Sequence, residues 1–572
     1  MSITNFLRGS RPGGGKVAGR RSGSRYLAAA AVLLLHLAAL VSLVLTEADL
    51  LGKALFLLAW GLLNFVCLFV LRRPAISAAL SLALVVTVIL VSRFKFDITW
   101  MTITFLDILI IDTDTFAFLL QIFPDLRLSL LIAAAIAFPV AAILWFGDRY
   151  RVRRRLSFAG ASLCLAGLVV LSNSYPEQPW EPFQGVNHVS NFARSGVLSV
   201  SELTSKGWLD FDTAIANPTR AIGEQTCTPA ARPPHIVMVL DESSFDITMA
   251  PGIKVPANYA DHFKSFDGKQ RLLITEATGG PTWYTEYNVL TGLSARSFGR
   301  LMFYVTRIAA GRVERGLPQA LRRCGYKTVS LYPAYGAFLS ARRFQRSAGV
   351  ERLIDSKEMG AGDVEPDSFY YDKALQLIAR EGQEQPLFIF VYTVANHFPW
   401  TSVFRADLTP DWRPLGNGSE VDEYIRRQTL SARDYSGFTR KLESQFPDQH
   451  FLIVRFGDHP PALAHRIIDP SLDDAEIARR VMNYDQRYYT AYYAIDGVNF
   501  EPARSTSAHE RLDAAYLPLV VQEAAGLPLD STFQEQKRIL ERCEGLFYAC
   551  RDGAEARRFN RLLVDAGLIK GF

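Results

Sequence analysis

The sequence predicts a five-helix transmembrane domain followed by an exported α/β domain, with a mainly parallel central sheet and helices on both of its faces. Two observations lead to this fold class. Five uncharged apolar runs, each close to the roughly 20 residues that cross a bilayer core, crowd into the first third of the 572 residues. Short apolar runs then alternate with helical stretches, which is typical of a parallel sheet. A chain of this length exceeds the roughly 100 to 200 residues of one compact domain, which excludes a single small binding module.

The five apolar runs are predicted to be membrane-spanning helices. None of them contains Asp, Glu, Lys or Arg. Buried helices of a soluble core are the alternative, but five such runs in succession favour the membrane. The predicted spans are 26–45, 54–71, 75–91, 128–147 and 156–172.

The orientation follows from the positive charges beside these spans. Thirteen lysines and arginines lie in the N-terminal tail and the connections on one side, against four on the other side. Positive residues stay in the cytoplasm, so we predict a cytoplasmic N-terminus. The first run lacks a small-residue cleavage pattern and is predicted to remain as an anchor. After five crossings the rest of the chain lies outside a bacterial inner membrane, in the periplasm or the extracellular space.

Composition limits the partners. A net charge of +5 spread over the whole chain gives no basic field for nucleic acid, so no nucleic-acid partner is predicted. The predicted boundaries are a cytoplasmic basic tail at 1–25, the transmembrane domain at 26–172, an interfacial linker at 173–232, the exported α/β domain at 233–526 and a C-terminal extension at 527–572.

Four cysteines fall in the exported part, at positions 227, 324, 543 and 550. Disulfides persist outside the cytoplasm, so these cysteines can pair, and Cys543 with Cys550 could close a small loop. Four free thiols are the alternative.

Strands are predicted where short apolar runs occur beyond the linker: HIVMVL, YKTVSLYP, PLFIFVYTV, HFLIVRF and AAYLPLVVQ. The stretches GLPQALRRC and YYDKALQLIAR between them are predicted to be helices. In sheets of this kind, ligands bind beyond the carboxyl ends of the strands.

Three of these strands end in polar residues suited to bind a metal ion. Carboxylates and imidazoles are ligands that Zn²⁺ and Mn²⁺ accept. Taken singly, each residue has an ordinary interpretation as a cap, a turn former or a loop residue. Their joint position at one edge of the sheet favours a metal site. The residues at the three strand ends are Asp241 and Glu242, then Asn396 and His397, then Gly457, Asp458 and His459.

A hydroxyl nucleophile is predicted in the segment TEATGGPTWYTEYNVLTGL. Thr282 would lie near a helix N-terminus, where backbone N–H groups favour an anion. A hydroxyl becomes a useful nucleophile only when a metal or a base activates it. By position alone Thr278 and Thr285 compete with Thr282, and a simple helix cap is the alternative.

In this order behind a five-helix anchor, the motifs LDES, GGPTWYTEY, NHFPW and GDH resemble those of the membrane-anchored transferases with the alkaline phosphatase/sulfatase fold. Among these are the lipoteichoic acid synthases and periplasmic phosphoglycerol transferases. The resemblance implies that Glu242, Thr282, Asp458 and His459 hold manganese or zinc. It also implies that Thr282 is the nucleophile, because the family pattern T-x-x-[ST]-E-[FY] begins there and includes Glu286.

The resemblance further implies residues that contact the substrate. His397 matches the family's substrate-side histidine, which binds the phosphate or protonates the leaving alkoxide. Arg342 or Arg343, in FLSARRFQRSAG, matches an arginine that contacts the donor. Glu286 is placed among the substrate-binding residues.

The implied activity is transfer of phosphoglycerol from phosphatidylglycerol to a hydroxyl of an envelope glycan or lipid, through a phospho-threonine. A phosphoethanolamine transferase acting on phosphatidylethanolamine is the alternative enzyme, although such enzymes typically carry a serine where this chain has Gly457. A sulfatase is disfavoured, because the segment CTPAAR that begins at Cys227 departs from the C-x-P-x-R pattern. A catalytically silent membrane receptor on the same fold is the non-enzyme alternative.

Overall fold

The computed structural model describes residues 18–571, apart from gaps at 100, 110–115, 117–118, 121–124, 149, 176–180, 213–226, 228–232 and 363. The chain forms two compact units. One consists of Met1–Ile108 with Leu119–Ser201, and the other of Leu109–Phe118 with Glu202–Phe572. Most of the predicted basic tail lies outside the described residues.

The first unit contains five helices that are long and apolar enough to cross a membrane, which confirms the five predicted spans. Asp49 begins the second helix by accepting a hydrogen bond from the Gly52 amide at 2.7 Å, and Arg72 ends it in a left-handed conformation. The five helices are α1 (Ala18–Thr46), α2 (Leu50–Leu71), α3 (Pro74–Thr99), α4 (Asp125–Gly147) and α5 (Arg154–Ser174).

A further helix, α6 (His188–Lys206), lies within the predicted interfacial linker. No pattern in the sequence predicted this helix. The buried carboxylate of Glu47, which follows α1, accepts a hydrogen bond from the Val189 amide at 3.1 Å and another from the Ser190 hydroxyl. These bonds satisfy polar groups at the start of α6, so the helix begins against the end of α1.

The second unit is built on an eight-stranded sheet in the order β4-β3-β5-β1-β6-β7-β2-β8. β7 pairs antiparallel with β6 and with β2, and the other neighbours are parallel. This confirms the predicted mainly parallel sheet. The strands are β1 (His235–Asp241), β2 (Arg271–Ile274), β3 (Lys327–Leu331), β4 (Arg352–Ile354), β5 (Leu387–Tyr392), β6 (Phe451–Gly457), β7 (Thr490–Val498) and β8 (Arg511–Asp513).

Helices connect and flank these strands. Two of them confirm predictions, because GLPQALRRC contains α9 and YYDKALQLIAR lies within α12. The helices of the second unit are α7 (Thr282–Thr291), α8 (Val305–Ala309), α9 (Leu317–Arg323), α10 (Ala341–Ser347), α11 (Ser356–Met359), α12 (Asp367–Glu381), α13 (Ser419–Gln445), α14 (Ala462–Ile468), α15 (Asp474–Met482), α16 (Leu517–Ala524), α17 (Ser531–Arg542) and α18 (Ala554–Asp565).

The central strands are apolar throughout because both faces of the sheet are covered. Every residue of β5 is buried. Alternate residues such as Ile389 pack in one core with Tyr371 of α12 and Phe438 of α13. On the other face, the Tyr392 hydroxyl accepts a hydrogen bond from Gln345 of α10 at 3.1 Å. The packed sheet therefore supports the residues that follow the carboxyl ends of its strands.

One predicted strand is wrong. AAYLPLVVQ forms a short 3-10 turn followed by α16, not a strand. Asp513 caps this segment by accepting a hydrogen bond from the Ala515 amide, and Pro518 lies in the first helical turn, where its missing N–H costs nothing. The helix is apolar on nearly all sides because it is almost entirely buried, which gives it the composition of a core strand.

All four cysteines of the second unit are paired. Cys543 bonds to Cys550, as the short spacing suggested, and Cys227 bonds to Cys324, 97 residues later in the chain.

Candidate metal centre and active site

The register of two parallel strands brings the candidate metal ligands together. Asp241 at the end of β1 pairs with Gly457 at the end of β6. The residues that follow in each chain segment, Glu242 and Asp458, therefore leave the sheet side by side. The amide of Ser243 donates to Asp458 Oδ1 at 2.7 Å and ties the two turns to each other.

Glu242, Asp458 and His459 form a compact group, the Glu–Asp–His cluster. One ligand atom from each lies within 4.8 Å of the others. His459 Nε2 is 3.3 Å from Asp458 Oδ2 and 4.0 Å from Glu242 Oε1. All three side chains are buried, and Asp458 is 0% exposed. The three ligand atoms are close enough together to coordinate one metal ion.

The free atoms of the cluster fit a divalent cation. Asp458 Oδ2 and His459 Nε2 are buried without a hydrogen-bond partner among the described residues. His459 Nδ1 donates to the Pro460 carbonyl at 3.0 Å, so the lone pair of its Nε2 is available to a metal. The Ser243 hydroxyl donates to Glu242 Oε1 at 2.8 Å. Buried polar atoms are almost always satisfied, and an oxygen-and-nitrogen set of this kind suits Mn²⁺ or Zn²⁺.

Burial without a cation disfavours the charged carboxylates. Desolvation, followed by the nearby charge of Asp458, raises the pKa of Glu242 to about 8. Burial likewise raises the pKa of Asp458. A bound cation reverses this preference and keeps both groups ionised.

Of the three candidate threonines, Thr282 has the hydroxyl closest to this chemistry. Its Oγ1 lies 3.4 Å from Glu242 Oε2, and α7 begins at this residue. The Thr285 hydroxyl is buried and donates to the Asp458 carbonyl at 2.6 Å, while Thr278 bonds to His465. Thr282 therefore combines a carboxylate contact with a helix N-terminus, where an anion is favoured.

His397 follows the end of β5, the strand next to β1. Its Nδ1 donates to the Phe398 carbonyl oxygen at 2.8 Å, which leaves Nε2 as the proton-accepting nitrogen of the neutral ring. Burial lowers the pKa of His397, so the ring is neutral at pH 7. Arg427 donates to the His397 carbonyl at 2.6 Å and to the Pro399 carbonyl at 2.8 Å, which fixes the loop.

The structure places Glu286 beneath the surface. Its carboxylate accepts a hydrogen bond from Gln345 at 2.8 Å, and burial raises its pKa to about 7. Its side chain is 1% exposed, and a substrate contact for it stays a prediction.

The two candidate arginines differ in their surroundings. The Arg342 guanidinium donates to Asp355 at 2.8 Å and to Glu358 at 2.7 Å, so its charge is compensated. Arg343 is exposed and borders a cavity of about 550 Å³ together with Arg307 and Arg346. The structure does not bring Arg342 or Arg343 into the Glu–Asp–His cluster.

Two polar residues near the site were missed by the sequence analysis. His465 Nε2 lies 2.7 Å from the Thr278 hydroxyl, and Gln345 holds Glu286. Both sit on short helices without a motif. Only their folded position shows their proximity to the candidate site.

Comparison with known proteins finds a family model that matches part of the second unit. Residues 234–504 match the Sulfatase family model. This confirms the predicted alkaline phosphatase/sulfatase-like fold, here combined with five apolar helices. Cys227 lies before the matched region and is held in a disulfide with Cys324, so its sulfur is not a nucleophile.

Three proteins illustrate what the chain is similar to. The capsular polysaccharide biosynthesis protein RkpI of Rhizobium meliloti is 25% identical over 42% of this chain and 44% of its own length. The chain covers less than half the length of the curated relatives that it matches. The phosphoglycerol transferase GacH of Streptococcus pyogenes, solved with sn-glycerol-1-phosphate, is 14% identical over 59% of this chain and 87% of that one, with a TM-score of 0.45. The lipooligosaccharide phosphoethanolamine transferase A of Neisseria meningitidis is 12% identical over 87% and 99%, with a TM-score of 0.46.

Proposed function

We propose that this protein is a metal-dependent phosphotransferase that moves phosphoglycerol from phosphatidylglycerol to a hydroxyl of an envelope glycan or lipid, through a phosphorylated Thr282. One observation carries the proposal. The Thr282 hydroxyl lies 3.4 Å from Glu242, beside buried ligand atoms of Asp458 and His459 that have no hydrogen-bond partner among the described residues. A hydroxyl at the rim of a cation site, on a helix N-terminus, is arranged for attack on a phosphate.

Glu242, Asp458, His459 and the Thr282 oxygen would hold the ion, Mn²⁺ or Zn²⁺. When bound, such an ion supplies positive charge that neutralises the phosphate and lowers the proton affinity of the hydroxyl. The chain's own contribution is position. The hydrogen bonds of Ser243 and the strand register hold the ligands in place before the substrate arrives.

In the first step, the Thr282 oxygen attacks the phosphorus of the donor. The bond between phosphorus and the diacylglycerol oxygen breaks, that oxygen gains one proton in exchange for the proton that the Thr282 hydroxyl gives up, and phosphoglycerol remains as an ester on Thr282. The hydroxyl proton faces Glu242 Oε2 and leaves as the new bond forms. Amides at the start of α7 stabilise the negative charge on the phosphate.

In the second step, the hydroxyl of the acceptor attacks the same phosphorus. Its proton passes to Nε2 of His397, which is the accepting nitrogen because Nδ1–H is held by the Phe398 carbonyl. The bond between phosphorus and Thr282 breaks, and the threonine oxygen gains one proton in exchange for the proton that the acceptor gave up, which returns His397 to its neutral form. His397 acts as a base here, since burial keeps it neutral at pH 7.

The proposed lipid donor explains why the catalytic domain would be attached to membrane helices. A lipid with two acyl chains is present only at a bilayer surface, so an anchored domain meets it there. We infer a bacterial inner membrane, a cytoplasmic N-terminus and a periplasmic or extracellular catalytic domain. A glycan acceptor agrees with the name of the Rhizobium meliloti relative, which refers to capsular polysaccharide biosynthesis.

The decisive experiment is peptide mass spectrometry across Thr282. Full-length protein is incubated with Mn²⁺ and equal amounts of phosphatidylglycerol and phosphatidylethanolamine. A glycerophosphate adduct on Thr282, with release of diacylglycerol, is expected, and a phosphoethanolamine adduct would instead identify the alternative donor. Thr282→Ala must abolish both the adduct and the release, whereas Thr439→Ala, on the surface of α13, is the matched control. Wild-type release by the Thr282→Ala protein would refute the mechanism.

A further inference from the structure

The β5–α13 loop, residues 393–418, leaves the carboxyl edge of the sheet beside the candidate metal ligands. The Glu242 amide donates a hydrogen bond to the Thr393 hydroxyl at 3.4 Å, and the proposed base His397 follows shortly after in the chain. Phe398 comes next, and its ring stacks on the His397 imidazole with the ring centroids 4.5 Å apart. A partner that covers the outer surface of this loop is therefore next to the candidate site.

The loop divides its apolar side chains between the inside and the outside of the domain. Trp400 is buried, Trp412 and Leu415 are partly buried, and all three pack in one apolar core. Phe398 and Val403 remain outside this core and are 43% and 66% exposed. From β1 onward, five large apolar side chains are exposed in the part of the chain that the structure describes, and two of them belong to this loop. These two side chains are available to an apolar partner.

The exposure of the two side chains is fixed by the buried Arg427 of α13. One nitrogen of its guanidinium donates to the Pro399 carbonyl at 2.8 Å and to the Ser402 carbonyl at 2.8 Å. The two carbonyl oxygens therefore lie no further apart than twice that distance. Phe398 and Val403 flank these residues in the chain, so they project from one short, tightly held segment.

The outer stretch of the loop suits the boundary between water and lipid. Residues 397–404 contain no Asp, Glu, Lys or Arg. Their carbonyls at positions 397, 398, 399, 402 and 404 accept hydrogen bonds, four of them from the buried guanidinium groups of Arg426 and Arg427. The Phe404 amide donates to Glu423 at 2.9 Å. Backbone groups that are satisfied within the protein enter apolar surroundings at a lower cost than groups that depend on water.

We propose that the outer surface of the β5–α13 loop, formed by Phe398 and Val403, rests on the lipid bilayer that holds the donor. This inference rests on the proposed function and names the surface through which the domain approaches its lipid. Five helices of this chain are long and apolar enough to cross a membrane, so a bilayer is an apolar surface that the chain meets. Contact at this loop would let a lipid head group reach Thr282 while its acyl chains stay in the membrane.

The first measurement reads the contact directly and needs no turnover. In a full-length C67A/C164A background, which lacks the two free cysteines, V403C or F266C is labelled with bimane. The proteins are placed in nanodiscs of phosphatidylcholine and phosphatidylglycerol, with or without lipids that carry a nitroxide on an acyl chain. The label at position 403 is expected to be quenched at least about twofold by the nitroxide lipid, because apolar side chains at an interface enter the acyl boundary.

Phe266 is the matched control. It is 49% exposed and precedes β2. Because β2 and β6 both pair antiparallel with β7, the start of β2 lies away from the carboxyl edge that carries the candidate site. The label at position 266 is therefore expected to keep its fluorescence.

A substitution then tests whether the contact serves the lipid donor. Diacylglycerol release is measured with long-chain phosphatidylglycerol in nanodiscs and with dihexanoyl phosphatidylglycerol dissolved as monomers. V403D places a charge at the interface, so the ratio of the bilayer rate to the monomer rate should fall at least about tenfold. F266D should leave this ratio unchanged. Matching melting temperatures would show that the V403D protein is folded, which is expected because the side chain is largely exposed.

Three results would overturn the inference. They are equal quenching at positions 403 and 266, an unchanged rate ratio for V403D, and emission at position 403 that is shifted to the blue without quenching. The last would show that protein, from this chain or from a second copy, covers the loop in place of lipid. If position 403 is quenched but the wild type releases diacylglycerol from neither donor, the proposed function fails and the contact stands, so the two failures are separately visible.

Discussion

Gly457 is the residue at which a single methyl group should disable the site. It ends β6 directly before Asp458, and a Cβ added to it would lie 1.8 Å from the Ser244 carbonyl oxygen. Real Cβ atoms essentially never approach closer than 3.0 Å, so the two backbone segments would have to separate by about 1.2 Å. Its φ is not in the left-handed region, so the expected effect of Gly457→Ala is steric.

This separation would displace the candidate metal ligands, because the two segments that clash carry them. Ser244 follows Glu242 by two residues, and Gly457 precedes Asp458. A displacement of about 1 Å in a catalytic arrangement can cost about 100-fold in rate. We therefore expect Gly457→Ala to reduce diacylglycerol release by about 100-fold, to weaken Mn²⁺ binding and to lower the free energy of unfolding by about 1–3 kcal/mol.

The assay compares Gly457→Ala with Gly437→Ala in the same domain. Gly437 lies within α13, and an added Cβ there meets no atom within 4 Å. The control should keep full activity and gain slightly in stability, because alanine is the better helix former. Diacylglycerol release is followed by lipid chromatography and Mn²⁺ affinity by calorimetry. If Gly457→Ala bound Mn²⁺ and released diacylglycerol as the wild type does, the inferred contact between the two ligand turns would be wrong.

Three further predictions concern the metal, the base and the disulfides. The pKa of Glu242 is raised from 4.5 to about 8 in the metal-free fold, so the folded state binds more protons than the unfolded state between these pH values and loses stability as pH rises. Added Mn²⁺ should therefore raise the melting temperature more near about pH 8 than near about pH 5. Equal increases at both pH values would contradict the cluster as the metal site. In the proposed mechanism His397 accepts a proton in its neutral form, and burial lowers its pKa, so transfer to the acceptor should fall off only below the ordinary value of 6.5. His397→Gln should be slow and should lose this decrease at low pH, and a variant that keeps the wild-type pH profile would exclude the base role. The Cys227–Cys324 disulfide closes a loop of 97 residues and the Cys543–Cys550 disulfide closes one of 7. Replacing the first pair by serine should lower the free energy of unfolding, measured with denaturant, by about 4–5 kcal/mol, and replacing the second pair should lower it by about 2 kcal/mol. Similar losses for both pairs would show that loop entropy is not the dominant effect.

The sequence was most informative where one physical requirement dominates. A bilayer demands long uncharged helices, and all five were predicted. Strands buried on both faces demand short apolar runs, which identified β1, β3, β5 and β6. The same criterion mistook the buried helix α16 for a strand and missed β7, whose residues include Asp496, a partner of the Arg455 guanidinium at 3.0 Å. An apolar composition indicates that a segment is buried. Because both strands and helices can be buried, composition alone does not distinguish them.

For the candidate site, the sequence predicted which side chains meet but not how they are supported. The carboxyl ends of β1 and β6 had to be neighbours for Glu242 and Asp458 to approach, and strand order alone made this visible. Neither the Gln345 contact to Glu286 nor the pairing of Arg342 with Asp355 has a local signal. Both depend on where helices after β3 return to the sheet.

The Glu–Asp–His cluster gives the proposed metal ion a role in the stability of the fold as well as in the reaction. Without a cation, the chain buries two carboxyl groups and an imidazole side by side and raises the pKa of both carboxyls. It also leaves two polar atoms without a hydrogen-bond partner among the described residues. Such an arrangement opposes folding, and it persists because the completely buried strands β1 and β6 beneath it are held by continuous parallel pairing. A divalent cation would offset these costs, because it stabilises the ionised carboxylates and binds the two atoms that lack a hydrogen-bond partner among the described residues. The same ion would then bring the Thr282 hydroxyl to the phosphate, so the residues that destabilise the empty site are the residues that the proposed reaction requires.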